Sequence, residues 1–192
     1  MKSFIIYLPN FNNSTEWANN AYQSALKHSW NTQLYKGFDG RYSNLKEHGI
    51  FVNPDAGTHK GQKLLEKPGV IGCFLSHYFL WQKSIKLNEP ICILEHDVTI
   101  HKPMPDVEFI DVIKLVSGPK GKQTVYDGNW WAGAMAYCIS PQGAKKLISF
   151  VESKGALPAD WMLCTSIIDL KFDNTDSVSY VTNSFKFTRD LC

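Results

Sequence analysis

The chain has 192 residues, of which 44% are apolar and 20% are charged, a composition typical of a globular protein. Its 20 basic and 18 acidic residues leave a formal charge of +2, and the sequence has no dense run of Lys and Arg. This balance excludes a nucleic-acid binder that depends on a basic surface. The length fits a single domain over residues 1–192 with a sizeable core.

The first apolar run, FIIYL at residues 4–8, is too short for a membrane span or a secretory signal and is predicted to be a buried strand. The cysteines are widely spaced and odd in number: Cys73, Cys92, Cys138, Cys164 and Cys192. We interpret them as small buried residues in a reducing compartment, and not as a disulfide or zinc framework. We therefore expect a cytoplasmic protein with at most peripheral membrane contact.

A helix is predicted over residues 14–29, where small and aromatic residues recur at helical spacing behind Ser14 or Thr15 as the N-cap. Residues 33–38 predict a second strand, which the turn dipeptide Asp39-Gly40 closes. Residues 41–68 are polar and weakly periodic, which indicates a mobile loop.

The next segment predicts an amphipathic helix over residues 72–87, because Phe74, Tyr78, Trp81 and Ile85 recur at steps of four, three and four. After it comes ICILEHDV at residues 91–98, whose continuous apolar run is typical of a strand buried on both faces of a parallel sheet.

The last third predicts two strands at 111–116 and 134–139, then a helix with Ser140 as N-cap and Pro141 in its first turn. That helix is expected to stop at Gly155. A short helix over 159–169 and a strand over 178–182 complete the pattern. Strands that alternate with helices predict an α/β fold with a mostly parallel central sheet flanked by helices.

Glu95, His96 and Asp97 follow the buried strand at its carboxyl end, where parallel sheets bind their ligands. An acid–imidazole–acid cluster there can hold a hard divalent cation, and the cation can hold a phosphate. The alternative is an edge loop with solvated charges.

Five segments occur in an order that carries a resemblance to a known family. They are GVIGCFLSHYFLWQKSI (69–85), ICILEHDV (91–98), DVIKL (111–115), AYCISPQGAKKLI (136–148) and PADWM (158–162). The chain resembles glycosyltransferase family 25, the bacterial lipooligosaccharide and LPS biosynthesis transferases, over residues 69–168. The resemblance implies a GT-A, Rossmann-like fold and inverting transfer of a hexose such as galactose or glucose. It also implies a UDP-sugar donor and a saccharide acceptor.

A leaving diphosphate must be neutralised, which a divalent cation does as a Lewis acid, so we expect Mn²⁺ or Mg²⁺ as cofactor. Asp97 matches the last acid of the family's Glu-Asp-Asp and is the predicted metal ligand. Glu95 matches the first acid and is expected either to reach the metal or to orient the sugar. His96 stands where the family has Asp; imidazole suits Mn²⁺ better than Mg²⁺. The alternative is that His96 points back into the sheet.

Gly69, Gly72, Ser76 and His77 form a second group of candidates for binding the donor. Glycines and free N–H groups at a helix start favour phosphate, although these glycines also suit a tight turn after Pro68. For His77 the competing interpretation is a hydrogen-bonded core histidine.

Asp160 is the predicted catalytic base, because inverting transfer needs a group that takes the proton of the acceptor hydroxyl. Trp161 beside it can serve as an aromatic platform for a sugar. The alternative for Asp160 is a helix cap.

Three further groups of residues are candidates. Asp39 and Gly40 match a family position that can touch the nucleotide. Asp111 matches the family's Asp-Ile-Ile strand or is purely structural. Trp130 and Trp131, preceded by Asp127, suggest either an aromatic wall for a sugar or ordinary packing.

The chain departs from the family at Val70, where an acid is common, and at residues 10–13, where arginines are expected and Asn10, Phe11, Asn12 and Asn13 stand. We predict a UDP-sugar-dependent hexosyltransferase. The alternative is a non-catalytic nucleotide-sugar or carbohydrate-binding module on the same fold. Metal-dependent phosphoester hydrolysis is a weaker third option, since such sites gather more His and Asp ligands.

Overall fold

The computed structural model describes residues 1–59, 62–116, 120–123 and 128–180. Its α-helices are α1 (Asn12–Lys27), α2 (Pro68–Leu87), α3 (Pro141–Lys154) and α4 (Ala159–Met162). Its strands are β1 (Lys2–Tyr7), β2 (Asn31–Lys36), β3 (Thr58–His59), β4 (Gln62–Lys63), β5 (Ile91–Glu95), β6 (Val98–Ile100), β7 (Val112–Val116), β8 (Lys120–Gln123), β9 (Gly128–Trp131), β10 (Ala136–Ile139), β11 (Leu170–Phe172) and β12 (Val178–Tyr180).

The central sheet has six strands in the order β11-β7-β10-β5-β1-β2. β10 runs antiparallel to both of its neighbours, whereas the pairs β1–β2, β1–β5 and β7–β11 are parallel. The predicted α/β fold with a mostly parallel sheet between helices is confirmed.

β1 lies between β2 and β5, where the order in which successive strands are added to the sheet switches from one side to the other. Because β2 pairs with one side of β1 and β5 with the other, the connecting helices α1 and α2 cover opposite faces. Parallel sheets open a crevice at such a point, outside the carboxyl ends of the strands. The fold therefore places a crevice beyond Tyr7 and Glu95.

β5 is buried on both faces, as its apolar run predicts. Ile91 and Ile93 pack into the layer that contains α2 and α3, while Cys92 and Leu94 pack against the layer of α1. Each full burial of such an aliphatic side chain contributes about 1.5–3 kcal/mol relative to leaving it exposed. The strand is fixed in register by both layers, so Glu95 is held where the apolar run stops.

α2 carries the aromatic stripe into the core and begins four residues earlier than its periodicity indicates. Pro68 occupies its first turn, where a fixed φ and a missing N–H cost nothing. The helix ends at Leu87, and its C-cap Asn88 adopts a left-handed φ of 52°. Phe74 and Trp81 are fully buried against the sheet.

Two local predictions are wrong. Ser14 does not cap α1, because its hydroxyl accepts a hydrogen bond from Leu8 N at 2.9 Å, and Phe11 is the N-cap. The helix expected over 159–169 ends at Met162, because the chain turns there and Thr165 N donates to Asn129 O at 3.0 Å.

The polar segment 41–68 contains the short β3–β4 hairpin and two 3-10 turns, Lys46–His48 and Leu64–Glu66. Cys92, Cys138 and Cys164 are buried as predicted, Cys73 is half-buried, and Cys192 lies outside the described residues. Of the strand predicted over 178–182, β12 covers its first three residues, and the other two also lie outside the described residues. No helix within the described ranges is both long enough and apolar enough to cross a lipid bilayer.

Candidate active site

A cavity of about 410 Å³ opens at the carboxyl ends of β1 and β5. Its lining comes from the segments that follow β1 and β2, the start of α2, the end of β5, the residues before β10, and α4. This volume lies within the range of small-molecule sites, about 300–1,000 Å³. Segments far apart in sequence therefore converge where the topology places the crevice.

Asp39 and Arg41 form one rim of the cavity. The Arg41 guanidinium pairs with the Asp39 carboxylate at 2.6 Å, and its carbon lies 4.4 Å from the centre of the Phe11 ring. The hydrogen bond with Arg41 lowers the pKa of Asp39, so this carboxylate stays ionised. Arg41 thus brings a positive charge beside Phe11, in the segment where the family's arginines are missing.

Gly72 and Ser76 hold the segment after β2 against α2. A Cβ at Gly72 would overlap the carbonyl oxygen of Phe38 and lie 2.9 Å from Gly40 N. The Ser76 hydroxyl donates to Gly72 O at 2.7 Å and accepts from Phe38 N at 2.9 Å. Both residues line the cavity. The hydroxyl of Ser76 and the missing side chain of Gly72 serve to hold the segment after β2 in place as a wall of this cavity.

His77 is fully buried on α2 and reaches the cavity between two partners. Its Nδ1 lies 2.8 Å from the hydroxyl oxygen of Tyr137, which also accepts a hydrogen bond from Trp81 Nε1 at 2.8 Å. Its Nε2 lies 3.6 Å from Glu95 Oε1. His77 is therefore both a hydrogen-bonded core histidine and a part of the cavity lining.

Glu95 extends from the end of β5 with its side chain 27% exposed. Its Oε1 also lies 3.8 Å from Cys73 Sγ. Burial raises the pKa of Glu95, but the contacts with His77, with the nearby His96 and with Cys73 together hold this pKa below its usual range. Glu95 therefore offers the cavity an ionised carboxylate.

His96 lines the cavity from the side of α1. Its Nδ1 lies 3.3 Å from the Ser14 hydroxyl, and its ring stacks on Trp17 with the ring centres 5.4 Å apart. Asp97, in contrast, is 7% exposed and is not among the lining residues. The expectation that Asp97 faces the open crevice is not met, because the turn after β5 directs its neighbours Glu95 and His96 there.

Asp160 lies in the first turn of α4 and lines the cavity on the side opposite α1. Its Oδ2 accepts a hydrogen bond from Gly133 N at 3.2 Å. Burial raises the pKa of Asp160, although the Gly133 N–H and the charge of Lys114 act in the other direction. Pro158 is the N-cap of α4, so Asp160 does not have the capping role considered from the sequence.

Lys114 supports this side of the cavity from within the sheet. The side chain is 1% exposed, and its Nζ donates to Trp131 O at 2.9 Å and to Gly133 O at 2.6 Å. Burial lowers the pKa of Lys114 to about 8, against the opposing charges of Asp160 and Glu95. The backbone of Gly133 is consequently held at two atoms: its carbonyl oxygen accepts from Lys114, and its N–H donates to Asp160.

Comparison with known proteins assigns the chain to a family. A sequence model of glycosyltransferase family 25, described as an LPS biosynthesis protein family, matches residues 3–129. The chain belongs to glycosyltransferase family 25.

Curated relatives of this family 25 chain are insect proteins. A glycosyltransferase 25 family member from Aedes aegypti is 26% identical over 207 residues, covering 94% of this chain and 33% of the relative. A second, from Anopheles gambiae, is 26% identical over 136 residues, covering 60% and 22%. The chain therefore spans a third or less of the length of these relatives.

Among solved structures, the CTP:phosphocholine cytidylyltransferase of Streptococcus pneumoniae is similar with a TM-score of 0.49 and 12% identity. That similarity covers 100% of this chain and 99% of the other. It is too low to carry an argument about function.

Of the remaining sequence candidates, Gly40 and Gly69 line the cavity, whereas Asp111 and Trp131 are not among its lining residues. Asp111 is fully buried, and its Oδ2 accepts from Asp169 N at 2.7 Å and pairs with Lys146 at 2.5 Å, which is the structural alternative. Trp131 packs on Phe172, with ring centres 4.4 Å apart. Asp127 lies outside the described residues, as does the side chain of Trp130. Trp161 lines the cavity, as do Tyr7, Phe11 and Phe38.

Sequence reasoning missed Arg41, Lys114, Cys73 and Tyr137. For Lys114 a signal existed, since a lysine inside the apolar strand DVIKLV must find partners when buried. Tyr137 had no local signal, whereas Arg41 pairs with Asp39 two residues away and Cys73 lies four residues before His77 on α2.

Proposed function

We propose that this family 25 chain transfers a hexose from a UDP-sugar to a saccharide hydroxyl with inversion at the anomeric carbon. The observation that carries the proposal is the cavity at the carboxyl ends of β1 and β5, which gathers Arg41, Glu95 and Asp160 around one space. A positive group for a diphosphate and a buried carboxylate for a proton are the two elements that such a transfer requires.

Arg41 supports binding of the donor diphosphate. Among the described residues that line the cavity, it is the single Lys or Arg side chain. A guanidinium forms paired hydrogen bonds with phosphate oxygens, and its stacking on Phe11 limits the directions in which it points. Arg41 thus supplies the charge that the family arginines would otherwise supply from residues 10–13.

Asp160 supports the role of general base. The acceptor oxygen attacks the anomeric carbon as the bond from that carbon to the diphosphate oxygen breaks, and the hydroxyl proton passes to Asp160. Burial of Asp160 raises its pKa, which brings this carboxylate closer to the pKa that favours proton transfer near neutral pH. Trp161 lies next to Asp160 at the cavity, where its ring suits packing against a sugar.

Metal assistance is part of the proposal, with Mn²⁺ or Mg²⁺ supplying a Lewis acid for the leaving diphosphate. Of the residues expected there, Glu95 and His96 line the cavity, whereas Asp97 is buried beside them. A carboxylate and an imidazole suit Mn²⁺ better than Mg²⁺. The proposed ligand role of Asp97 is tested by Asp97→Ala, which should remove the metal dependence of UDP binding in a protein that stays folded.

The test of the donor proposal measures the melting temperature with UDP, GDP and CMP, each with and without Mn²⁺. We expect UDP with Mn²⁺ to raise it by several degrees, because a ligand that binds the native state stabilises it. The absence of a shift with any nucleotide at millimolar concentration would contradict a donor site. A screen of UDP-, GDP- and CMP-sugars for hydrolysis or transfer then identifies the donor.

A binding module without transfer is the second candidate, and the position of Asp97 outside the cavity lining favours it. The two candidates differ in turnover. Both predict a thermal shift with UDP, whereas only the transferase produces free UDP from a UDP-sugar in the presence of saccharide acceptors.

A further inference from the structure

Cys73, His77 and Glu95 form a cluster at the floor of the cavity. Each contributes one donor atom, and the three atoms lie within 4.8 Å of one another. Cys73 and His77 are four residues apart on α2, so they share one face of that helix, and Glu95 approaches them from the end of β5. The cluster thus joins two rigid elements.

The distances within the cluster match those of a tetrahedral metal centre. Zn–N and Zn–O bonds of about 2.0–2.1 Å and a Zn–S bond of about 2.3 Å place N and O about 3.3 Å apart, and S and O about 3.6 Å apart. His77 Nε2 and Glu95 Oε1 are 3.6 Å apart, and Cys73 Sγ and Glu95 Oε1 are 3.8 Å apart. These two distances exceed the tetrahedral values by about 0.3 and 0.2 Å, and the donor atoms of Cys73 and His77 lie within 4.8 Å of each other.

His77 provides a second indication of a ligand. It is fully buried, and within the described part of the chain its Nε2 has no hydrogen-bond partner, with Glu95 Oε1 at 3.6 Å. A buried ring nitrogen without a partner is costly unless something binds it. The other nitrogen, Nδ1, lies 2.8 Å from the Tyr137 hydroxyl oxygen, whose two lone pairs can accept from both His77 and Trp81. Metal-bound histidines are commonly oriented by such a hydrogen bond from their second nitrogen.

We propose that Cys73, His77 and Glu95 bind a borderline-soft divalent cation of the Zn²⁺ type, with a fourth coordination position open to the cavity. Three protein ligands and one open position is the arrangement of reactive zinc sites, in contrast to the closed four-ligand structural sites. A thiolate and an imidazole favour Zn²⁺ over Mn²⁺ or Mg²⁺, which prefer oxygen. The site goes beyond the proposed transferase activity and shares Glu95 with it.

The test titrates the purified, reduced chain with Zn²⁺ by calorimetry and with Co²⁺ by absorption. We expect one equivalent to bind, and the Co²⁺ form to show a thiolate charge-transfer band and the strong visible bands of tetrahedral cobalt. Cys73→Ala and His77→Gln should each weaken binding at least about 100-fold, since even outer partners of a metal site account for about 10–100-fold. The matched controls Cys164→Ala and His101→Gln should bind as the parent does.

Several results would overturn the site. They are a parent chain that binds no Zn²⁺, a cobalt complex without the thiolate band, and unchanged affinity in Cys73→Ala. These results would be expected if the Tyr137 hydroxyl donates to His77 Nδ1. In that tautomer His77 Nε2 carries a hydrogen and cannot bind a cation. If His77→Gln does not fold, Cys73→Ala decides the question, because Cys73 is only half-buried. The shift of the melting temperature with UDP and Mn²⁺ should survive in Cys73→Ala, which separates this inference from the donor proposal.

Discussion

Replacing Lys114 by Met should remove a pH-dependent part of the free energy of unfolding. The Lys114 amine is 1% exposed, and burial lowers its pKa to about 8 from the ordinary value of 10.5. Between these two values the unfolded chain holds a proton that the folded chain has released. The stability of the parent chain therefore rises with pH across this window, and below it the fold carries the cost of a buried charge.

The size of this effect follows from the two pKa values. Each unit of difference corresponds to about 1.4 kcal/mol, so the complete window is worth about 3 kcal/mol. From about pH 7 to about pH 9.5, the linkage relation gives a gain of about 2 kcal/mol for the parent relative to Lys114→Met. The tyrosines Tyr35 and Tyr78, whose pKa values partial burial raises, titrate equally in both proteins and cancel in the difference.

The assay is urea unfolding of the parent and of Lys114→Met at several pH values, analysed as a difference in the free energy of unfolding. The matched control is Lys171→Met, an exposed lysine on the neighbouring strand β11 whose amine donates to Glu108 O. Its difference from the parent should be flat with pH. A flat difference for Lys114→Met as well would refute the assignment of a buried, destabilised ammonium group at this position.

Three further outcomes test the site. Asp160→Asn should leave UDP binding intact and abolish transfer, so unchanged turnover would exclude Asp160 as the base. Arg41→Ala should weaken UDP binding about 10- to 100-fold, as expected for loss of a charge-assisted hydrogen bond, while Lys27→Ala at the exposed end of α1 should not. Gly72→Ala should lower the free energy of unfolding by about 1–3 kcal/mol in urea titrations, because a Cβ there meets Phe38 O. Without that contact, a Gly→Ala change within a helix would raise stability by about 1 kcal/mol, and that result would contradict the proposed close approach.

Elements that depend on neighbouring residues could be predicted from the sequence. The run Ile91–Leu94 predicts a strand buried on both faces, and a strand covered by two helical layers is what the fold contains. Ser140 and Pro141 predict the start of α3 equally well, because the Ser140 hydroxyl accepts from Gly143 N at 3.0 Å. Capping and periodicity involve residues within one or two turns, so neighbouring letters suffice to predict them.

The residues that line the cavity could be predicted only in part from the sequence. Glu95, His96 and Asp160 line it as strand-end and motif arguments suggest, but which residue of the Glu95–Asp97 run turns away depends on the bend after β5. In the same way, Ser14 was assigned to a helix cap, although its hydroxyl is taken by the backbone of Leu8.

What the sequence determined by itself is the alternation of strands and helices, the burial of β5 on both faces, and the edge of the sheet at which polar residues collect. The tertiary structure alone decided that Arg41 stacks on Phe11, that Lys114 holds Gly133 beneath Asp160, and that Cys73 meets Glu95. These contacts depend on strand order, since β7 and β5 are separated in the sheet by β10. Strand order is set by the burial of whole faces against one another, a sum over many residues that no short segment encodes.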